Sequence, residues 1–474
     1  MQTKKDMRPL YVDLDGTLIK TDILLESAIR FIRKNPLAVF WLVIWLFRGK
    51  VELKRQLAQH VSLDVSLLPC DPKVIEFLSA EREAGRKIIL LTASYYTVAQ
   101  QIADHLGLFD RVIATQDANM KGAAKVAVCS VDGSEFDYMG NDSPDFVIFK
   151  AATKSYLVNP TRSALRLSKT NPVTETWSDD RNWLTLLAKT IRIHQWAKNI
   201  LLFVPLLVAA KYNELGSILS ALFGFVLFSF LASATYILND LSDLDSDRKH
   251  SRKRHRPIPS GNISISEALL LCLALFVAVL IGISFANIAF QLSIAAYLVL
   301  TILYTAVFKN YVIADVIALA SLFTIRIIAG AMIIEVEPSF WLMAFSMFTF
   351  FSLALIKRCA ELKLLMSENR SQTSGRDYRT DDYYLMQTFG VTSAFISLLI
   401  MAFYVQDAIL IQSYNTPIML WATLPAFAYW FCRMWLKTQR AEMHDDPLVF
   451  SVKDRGSVIC ISFIVMIILA AKIL

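Results

Sequence analysis

Residues 236–261 read YILNDLSDLDSDRKHSRKRHRPIPSG, and the reading of the whole chain turns on this stretch. Asn239, Asp240, Asp243 and Asp247 stand at spacings of three and four. On one continuous helix, that spacing sets Asp240, Asp243 and Asp247 on one face and turns Asp245 elsewhere. A row of carboxylates repels itself unless a cation lies among them, and hard cations such as Mg²⁺ take oxygen ligands and share them with substrate phosphates. Arg248, Lys249, Arg252, Lys253, Arg254 and Arg256 follow at once. An acidic row ahead of a basic cluster, at the mouth of an apolar run, suits a metal-bridged phosphate with cationic support. The plain alternative is a solvated, charged loop; the helical register of the carboxylates and the adjoining apolar run weigh against it.

The segment resembles the first motif of the UbiA superfamily of intramembrane transferases, N-D-x-x-D-x-x-x-D, at Asn239, Asp240, Asp243 and Asp247. The run that follows, D-R-x-H-x-x-K-x-x-R-P-I-x-x-G, is similar to the polyprenyl-phosphate phosphoribosyltransferase branch at Asp247, Arg248, His250, Lys253, Arg256, Pro257, Ile258 and Gly261. The resemblance covers 183–474. It implies catalytic, Mg²⁺-holding roles for Asp240, Asp243 and Asp247. It also implies substrate contacts from Asn239, Arg248, Lys253 and Arg256.

Composition agrees with a membrane protein. Of 474 residues, 55% are hydrophobic and 19% charged, with mean hydropathy +0.46; the length also leaves room for a soluble domain. The net charge of +7 sits in loops bordering apolar runs, which points to cytoplasmic loops and away from nucleic acid. Cys70, Cys129, Cys272, Cys359, Cys432 and Cys460 form no C-x-x-C pair, and the reading is of reduced thiols, neither a zinc site nor a disulfide frame. His60, His105, His194, His250, His255 and His444 form no ligand spacing. The opening MQTKKDMRPL leads into a strand-like run, so no cleavable signal is expected.

The front of the chain alternates strands and helices. LYVDLDGTL is an apolar strand that breaks at Asp13 and Asp15, two carboxylates that can serve as nucleophile and acid/base, with Gly16 letting the backbone turn. RKIILLTAS ends at Thr92 and Ser94; a later element carries Lys121 and Lys125; FDYMGNDSPDF ends with Asn141, Asp142 and Asp145. Polar residues at strand ends fit an open α/β sheet with its site at the carboxyl edge. These pieces, in this order, resemble the haloacid dehalogenase (HAD) phosphatases. The resemblance implies Asp13 as nucleophile, Asp15 as general acid/base, Thr92 on the phosphate, and Lys125 (or Lys121) neutralising it. Asp142 and Asp145 would hold Mg²⁺, with Asp13 and Asp15 in the same metal site. The family pattern G-D-x-x-x-D is broken because Asn141 follows Gly140, so Asp142 would take the vacated role, metal binding would be weaker, or the domain would be a retained scaffold. Residues 21–86 read as a helical cap containing PLAVFWLVIWLF, 36–47, too short for the roughly 20 apolar residues of a span. It is either buried core or an interfacial helix, and Trp41 and Trp45 favour the interface.

The expected architecture is therefore an N-terminal α/β HAD-like (Rossmann-type) domain with a helical cap over 1–162, a polar linker over 163–181, and an all-α polytopic, UbiA-like membrane domain of about nine transmembrane helices over 182–474. The apolar runs lie near 182–210, 217–238, 268–284, 289–308, 312–334, 340–356, 385–411, 417–436 and 457–474. Basic residues crowd the loop at 248–256, Lys309, and the loops at 357–379 and 437–455, while the opposite loops hold Glu335, Glu337 and Asp407. The positive-inside bias puts the aspartate stretch and the HAD domain on the cytoplasmic face.

Three further features carry charge into apolar surroundings. HQWAKN, 194–199, resembles the branch's Q-W-x-K-N, implying a substrate role for Lys198; an interface anchor is the alternative. Lys309, Asp315 and Arg326 punctuate an apolar stretch, where ionisable residues are functional by default. Asp315 and Arg326 share a helix face about three turns apart, and a structural ion pair is the bland reading. Leu319 stands four residues after Asp315, so the D-x-x-x-D of quinone-type UbiA enzymes is incomplete. KRCAEL, 357–362, resembles the branch's K-R-x-x-E-L and reads equally as a positive-inside cap.

The reading is a Mg²⁺-dependent transferase moving 5-phosphoribose from phosphoribosyl diphosphate to a lipid-linked polyprenyl phosphate, with the HAD domain removing the 5-phosphate from the product. The runner-up moves a prenyl chain from its diphosphate to an aromatic or other small acceptor. A third reading is a transporter or scaffold with an inactive cap. Membrane lipids are partners in each; the oligomeric state is open, a homo-oligomer included.

Overall fold

The computed structural model describes residues 8–131, 135–178, 182–368, 376–410, 414–443 and 446–474. His444 and the 179–181 end of the expected linker lie outside them. The chain divides into two compact units: Met1–Ile191 with Tyr236–Leu273, and Arg192–Thr235 with Ala274–Leu474.

The first unit is built on a parallel six-stranded sheet of β1 (Leu10–Val12), β2 (Ile88–Tyr95), β3 (Arg111–Thr115), β4 (Asp137–Gly140), β5 (Lys154–Val158) and β6 (Glu175–Trp177), in the order β3-β2-β1-β4-β5-β6. β1 and the first half of β2 are continuously apolar and buried, as strands covered on both faces require. β1 lies centrally, between β2 and β4, and Asp13 follows its last residue. Gly16 makes the turn beyond it at φ +77°, and a Cβ there would fall 2.0 Å from Asn141 Nδ2.

A helical cap follows β1: α1 (Ile23–Lys34), α2 (Val39–Phe47) and α3 (Lys50–His60). Asp22 caps α1 by accepting from Leu25 N at 3.0 Å. The buried face of α1 carries Ile23, Glu26, Ser27 and Arg30, an unusually polar set. α2 buries Trp45 while Phe40, Trp41, Leu46 and Phe47 stay exposed. Phe31, Trp41, Trp45 and His60 line an apolar cavity of about 530 Å³ with Lys34 among its lining residues.

Two expectations are corrected here. The stretch read as a linker, 163–181, contains most of the helix Arg162–Ser168 and the strand β6, which pairs with β5 from Tyr156–Glu175 to Val158–Trp177 and so completes the sheet. The aspartates do not share one continuous helix. Leu215–Ser242 ends before Asp243, whose backbone sits at φ −100°, ψ 16°, and a separate short helix, Leu244–Lys249, begins there. A 3-10 turn, Lys253–His255, and Gly261 at φ +72° close the stretch.

Among the described residues, seven helices are long and apolar enough to cross a membrane: Leu215–Ser242, Ile265–Ile283, Ile288–Ala306, Ala314–Ile333, Phe340–Ser367, Thr380–Ile409 and Arg455–Ile473. The sequence suggested nine. The expected first span is broken into the helix Trp183–Thr190, a 3-10 segment Ile193–Phe203 and the short Val204–Val208, with Arg192 at φ +54° between the first two. The expected eighth is the 3-10 turn Pro417–Ala422 followed by Thr423–Gln439, which ends in Arg433, Lys437 and Gln439. Proline opens both Pro417–Ala422 and, at its second position, Val204–Val208, where the missing amide interrupts the ladder.

Within the second unit, Ala314–Ile333 runs against the 3-10 segment so closely that a Cβ on Gly330 would lie 2.1 Å from the Leu202 carbonyl oxygen. Gly330→Ala should therefore push the two backbones apart at a cost of about 1–3 kcal/mol. A melting midpoint in detergent several degrees below wild type is the expected result; an unchanged midpoint refutes the close packing.

Candidate active sites

At the carboxyl edge of the sheet, Asp13 accepts an ion pair from Lys125 Nζ at 2.8 Å. Lys125 also donates to the Tyr138 hydroxyl at 3.1 Å and lies 4.0 Å from Asp145. Lys121, the alternative cation, is exposed. Tyr138 donates to Asp145 Oδ1 at 3.0 Å, and the Asn141 and Asp142 amides each donate to Asp145 Oδ2 at 3.0 Å. Asp15 accepts from Ser94 Oγ at 2.6 Å and from the first amide of α1, Ile23 N, at 2.9 Å. Thr92 is buried, its Oγ1 accepting from Ser94 N at 3.0 Å.

Burial pushes the Asp13 carboxyl up to about 6, against the pull of Lys125. Burial pushes Asp15 up to about 7, with Asp22 adding to the rise and the Ser94 hydrogen bond opposing it. A carboxyl titrating near neutrality can hold and release a proton in turn. Burial works to lower Lys125, but the charges of Asp13 and Asp145 outweigh it and hold the ammonium protonated.

Asp142 is engaged elsewhere than the resemblance implied. Its carboxylate caps the turn Ser143–Asp145, accepting from Ser143 N at 2.7 Å, and takes the Thr161 hydroxyl at 2.8 Å. Asn141 is the side chain that packs on the Gly16 turn between the two motif aspartates and β4. Ser94 was expected only as a polar strand end and takes a direct part through Asp15, while Tyr138 and Lys54 were not anticipated in the site. Lys54 reaches from α3 to the Ala93 carbonyl at 2.6 Å and Asn119 Oδ1 at 2.8 Å, and no local pattern marks it.

In the same unit, Asp240 and Asp247 are 4% and 2% exposed and face each other across one nitrogen. Arg256 Nη1 donates to Asp240 Oδ1 at 3.1 Å and to Asp247 Oδ2 at 2.7 Å, and Lys253 Nζ lies 3.6 Å from Asp247. Asp243 stands apart at the helix break, half-buried, 3.9 Å from Arg33; Asn239 is half-buried in the last turn before it. The oxygens offered by Asp240 and Asp247 are the hard donors Mg²⁺ takes. Among the described residues, however, no three His, Cys, Asp or Glu side chains converge as a ligand group.

Arg248, expected on substrate, is 9% exposed and turned inward. It ion-pairs with Glu26 of α1 and donates through Nε to the Pro259 carbonyl at 3.0 Å. Glu26 also accepts from Arg30 at 2.8 Å, and Arg30 reaches Asp245 at 2.5 Å and 3.0 Å. Burial would raise the Glu26 carboxyl, but the guanidiniums of Arg248 and Arg30 hold it below its usual range.

The second unit holds its own charged cluster. Asp315, fully buried, accepts from Arg358 Nε at 2.6 Å and from the Tyr378 hydroxyl. Arg358 also binds Glu361 at 2.7 and 2.9 Å and the Tyr304 hydroxyl at 3.2 Å. Arg326, the expected neighbour of Asp315, instead donates to Asn199 Oδ1 at 2.9 Å and lies over the rings of Tyr297, Phe228 and Phe323 at 4.9, 5.4 and 5.4 Å. Lys198 pairs with Asp446, whose carboxyl burial would raise and Lys198 lowers. Lys309 sits in the 3-10 turn Phe308–Asn310.

Residues 200–454 match the model of the UbiA prenyltransferase family, and residues 10–137 that of haloacid dehalogenase-like hydrolases. An uncharacterized protein y4nM of Sinorhizobium fredii is 34% identical over 95% of this chain and 88% of its own. The chain belongs to the UbiA prenyltransferase family.

A decaprenyl-phosphate phosphoribosyltransferase of Corynebacterium glutamicum is 34% identical over 38% of this chain and 55% of its own length. A UbiA homologue from Archaeoglobus fulgidus, solved with GPP and Mg²⁺, is 17% identical over 60% of this chain and 99% of its own, at TM-score 0.48. By its two family matches and its seven long apolar helices, this UbiA chain is an integral membrane enzyme with a HAD-like domain in front. The UbiA match takes in Asp240, Asp243, Asp247, Asp315 and Arg326, with Lys198 just ahead of it. The HAD match takes in Asp13, Asp15, Thr92 and Lys125 and stops before Asn141, Asp142 and Asp145.

Removing one partner of the buried Asp315–Arg358 pair leaves an uncompensated charge, a loss of about 3–5 kcal/mol, whereas an apolar pair of similar volume is close to neutral. Asp315→Leu should therefore melt well below wild type in detergent, and Asp315→Leu with Arg358→Met should recover much of the loss. A double variant no more stable than the single one would sink the assignment of Asp315 as a structural anchor.

Proposed function

We propose that this UbiA enzyme transfers 5-phosphoribose from phosphoribosyl diphosphate to a polyprenyl phosphate, and that its HAD-like domain then removes the ribose 5-phosphate. The observation carrying the reading is the Asp240–Arg256–Asp247 cluster, continuous with the R-x-H-x-x-K-x-x-R-P run of the phosphoribosyltransferase branch. The similarity to the C. glutamicum enzyme supports it, as does Leu319 where a second acidic pair would need its partner.

A phosphate oxygen of the lipid attacks the anomeric carbon; the bond from that carbon to the diphosphate breaks, and diphosphate leaves. Asp240 and Asp247 would hold Mg²⁺, with Asp243 joining from the helix break, and the ion supplies positive charge to the departing diphosphate. Arg256 and Lys253 stand ready to exchange their carboxylate partners for substrate oxygens, and Arg256 offers a planar fork suited to a diphosphate. Asp315, tied to Arg358 and Tyr378, would serve as a structural anchor of the bundle.

At the sheet edge, Asp13 would accept the phosphoryl group while Asp15 protonates the departing ribose oxygen; water then releases inorganic phosphate with Asp15 as base. Lys125 offsets the phosphoryl charge, and Asp145 holds Lys125 through Tyr138. Mg²⁺ here would draw on Asp13 with Asn141 as a neutral oxygen donor; Asp13, Asp15 and Asp145 do not converge as a ready-made ligand group among the described residues.

The crowding of basic residues in the loops supports a cytoplasmic placement of both sites. The exposed aromatic face of α2 would lie in the bilayer interface, keeping the phosphatase edge close to lipid-linked substrate.

Two assays test this. With labelled phosphoribosyl diphosphate and a polyprenyl phosphate, wild type should move label into the organic phase. Asp247→Asn should lose at least about a hundredfold, and Asp13→Asn should transfer normally but accumulate the 5-phosphorylated product. Transfer from a prenyl diphosphate to an aromatic acceptor instead would hand the site to the prenyl reading. In liposomes, Phe40→Asp with Phe47→Asp should slow dephosphorylation of the lipid-linked product while leaving a soluble phosphomonoester unaffected. Equal slowing of both would remove α2 from the membrane.

A further inference from the structure

The helix α1 belongs by sequence to the HAD-like domain, yet its buried face is charged, and what it binds is the acidic stretch of the transferase. Glu26, 0% exposed, lies between Arg248 and Arg30. Arg30 extends the chain of charges to Asp245, and Arg33 lies 3.9 Å from Asp243. Farther along the same loop, a Cβ on Gly261 would sit 2.5 Å from Lys20 Cβ and 2.7 Å from the Lys20 carbonyl, so the backbone two residues ahead of Asp22 packs directly on the loop's end.

These contacts bracket the candidate metal-binding carboxylates. Arg248 follows Asp247 directly; Asp245 lies between Asp243 and Asp247. At Asp243 the backbone leaves helical geometry for one residue, although the Asp243 and Asp247 amides still donate to the Asn239 and Asp243 carbonyls at 2.9 and 2.8 Å. The contacts from α1 add to those two bonds in setting how Leu244–Lys249 leaves the turn, and with it the approach of Asp247 to Asp240.

We propose that Glu26 and Arg30 of the HAD cap are positioning residues of the transferase: through Arg248 and Asp245 they clamp the short helix Leu244–Lys249 so that Asp247 faces Asp240. The HAD-like domain then has a second task independent of its own chemistry. The clamp touches neither substrate nor metal. It works by fixing where two carboxylates stand, and a small displacement of such groups costs much of the rate they support. The functional part of this inference rests on the acidic stretch being the transfer site.

The test uses the full-length protein in detergent micelles. Glu26→Gln, Arg30→Gln and Asp245→Asn are compared with wild type for melting midpoint, for kcat and KM in ribosyl transfer, and for trypsin cleavage at the exposed Arg252 and Arg254. Lys34→Gln, on the exposed end of α1, serves as the control. A clamp predicts that each of the three raises KM for phosphoribosyl diphosphate at least tenfold and speeds cleavage at Arg252–Arg254 at least fivefold, while the Lys34→Gln control stays at wild-type transfer and cleavage. Should Glu26→Gln fail to fold, the rim variant Asp245→Asn carries the test, since that carboxylate is one-third exposed. Folded variants with unchanged cleavage and unchanged KM overturn the clamp. If wild type transfers no ribose at all, the ribosyl reading falls; the cleavage rates still decide whether α1 holds the loop.

Discussion

A carboxylate stripped of water between two guanidiniums is the interaction on which most of the rest depends. Isolated, Glu26 would give up its charge or unfold its surroundings; paired with Arg30 and Arg248 it is locked in place. The arrangement explains why α1 is polar on its buried side, why Arg248 is turned inward, and why the acidic stretch packs as part of the unit that holds the sheet. It also separates two kinds of arginine within nine residues. Arg248 is spent on structure, while Arg256, one-third exposed, bridges the two carboxylates that would otherwise repel one another.

The same economy of charge recurs in the second unit. Asp315, Arg358 and Glu361 form a chain that continues to Arg376 and takes in the hydroxyls of Tyr304 and Tyr378, and Arg326 is held by Asn199 and three aromatic rings. Intramembrane charge is usually a sign of function because an unpaired charge is so costly there. Here the cost is met by partners far away in sequence, and pairing of that kind serves rigidity as readily as chemistry.

Much of this was legible in the sequence because short-range physics carries it. The D-x-D-G-T turn follows an apolar strand, the sheet is parallel, Asp245 pairs with Arg30 away from the Arg256-bridged Asp240 and Asp247, and seven of the apolar runs are long helices. What escaped was long-range. No local pattern could reveal that Glu26 and Arg248, 222 residues apart, are partners, or that Asp315 prefers Arg358 to the arginine on its own helix. Helical spacing across 239–247 suggested one helix because periodicity does not register a break whose halves stay in nearly the same phase. Two of the nine expected runs, both containing prolines, fall outside the seven long helices of the described residues, because composition stays apolar there while the backbone ladder is interrupted. Asn141 was visible as a departure, but its packing on Gly16 follows only from the parallel pairing of β1 with β4.

The strand β6 has a consequence for how this chain can be divided. It lies in what reads as a polar connector, yet its three residues cover the outer edge of β5. A fragment ending at 162 would leave Tyr156–Val158 as an unpaired, apolar strand edge, the kind of surface that recruits other chains into intermolecular sheets. The polar connector is therefore also what keeps the soluble half from sticking to itself, and the true end of the hydrolase fold lies past Trp177.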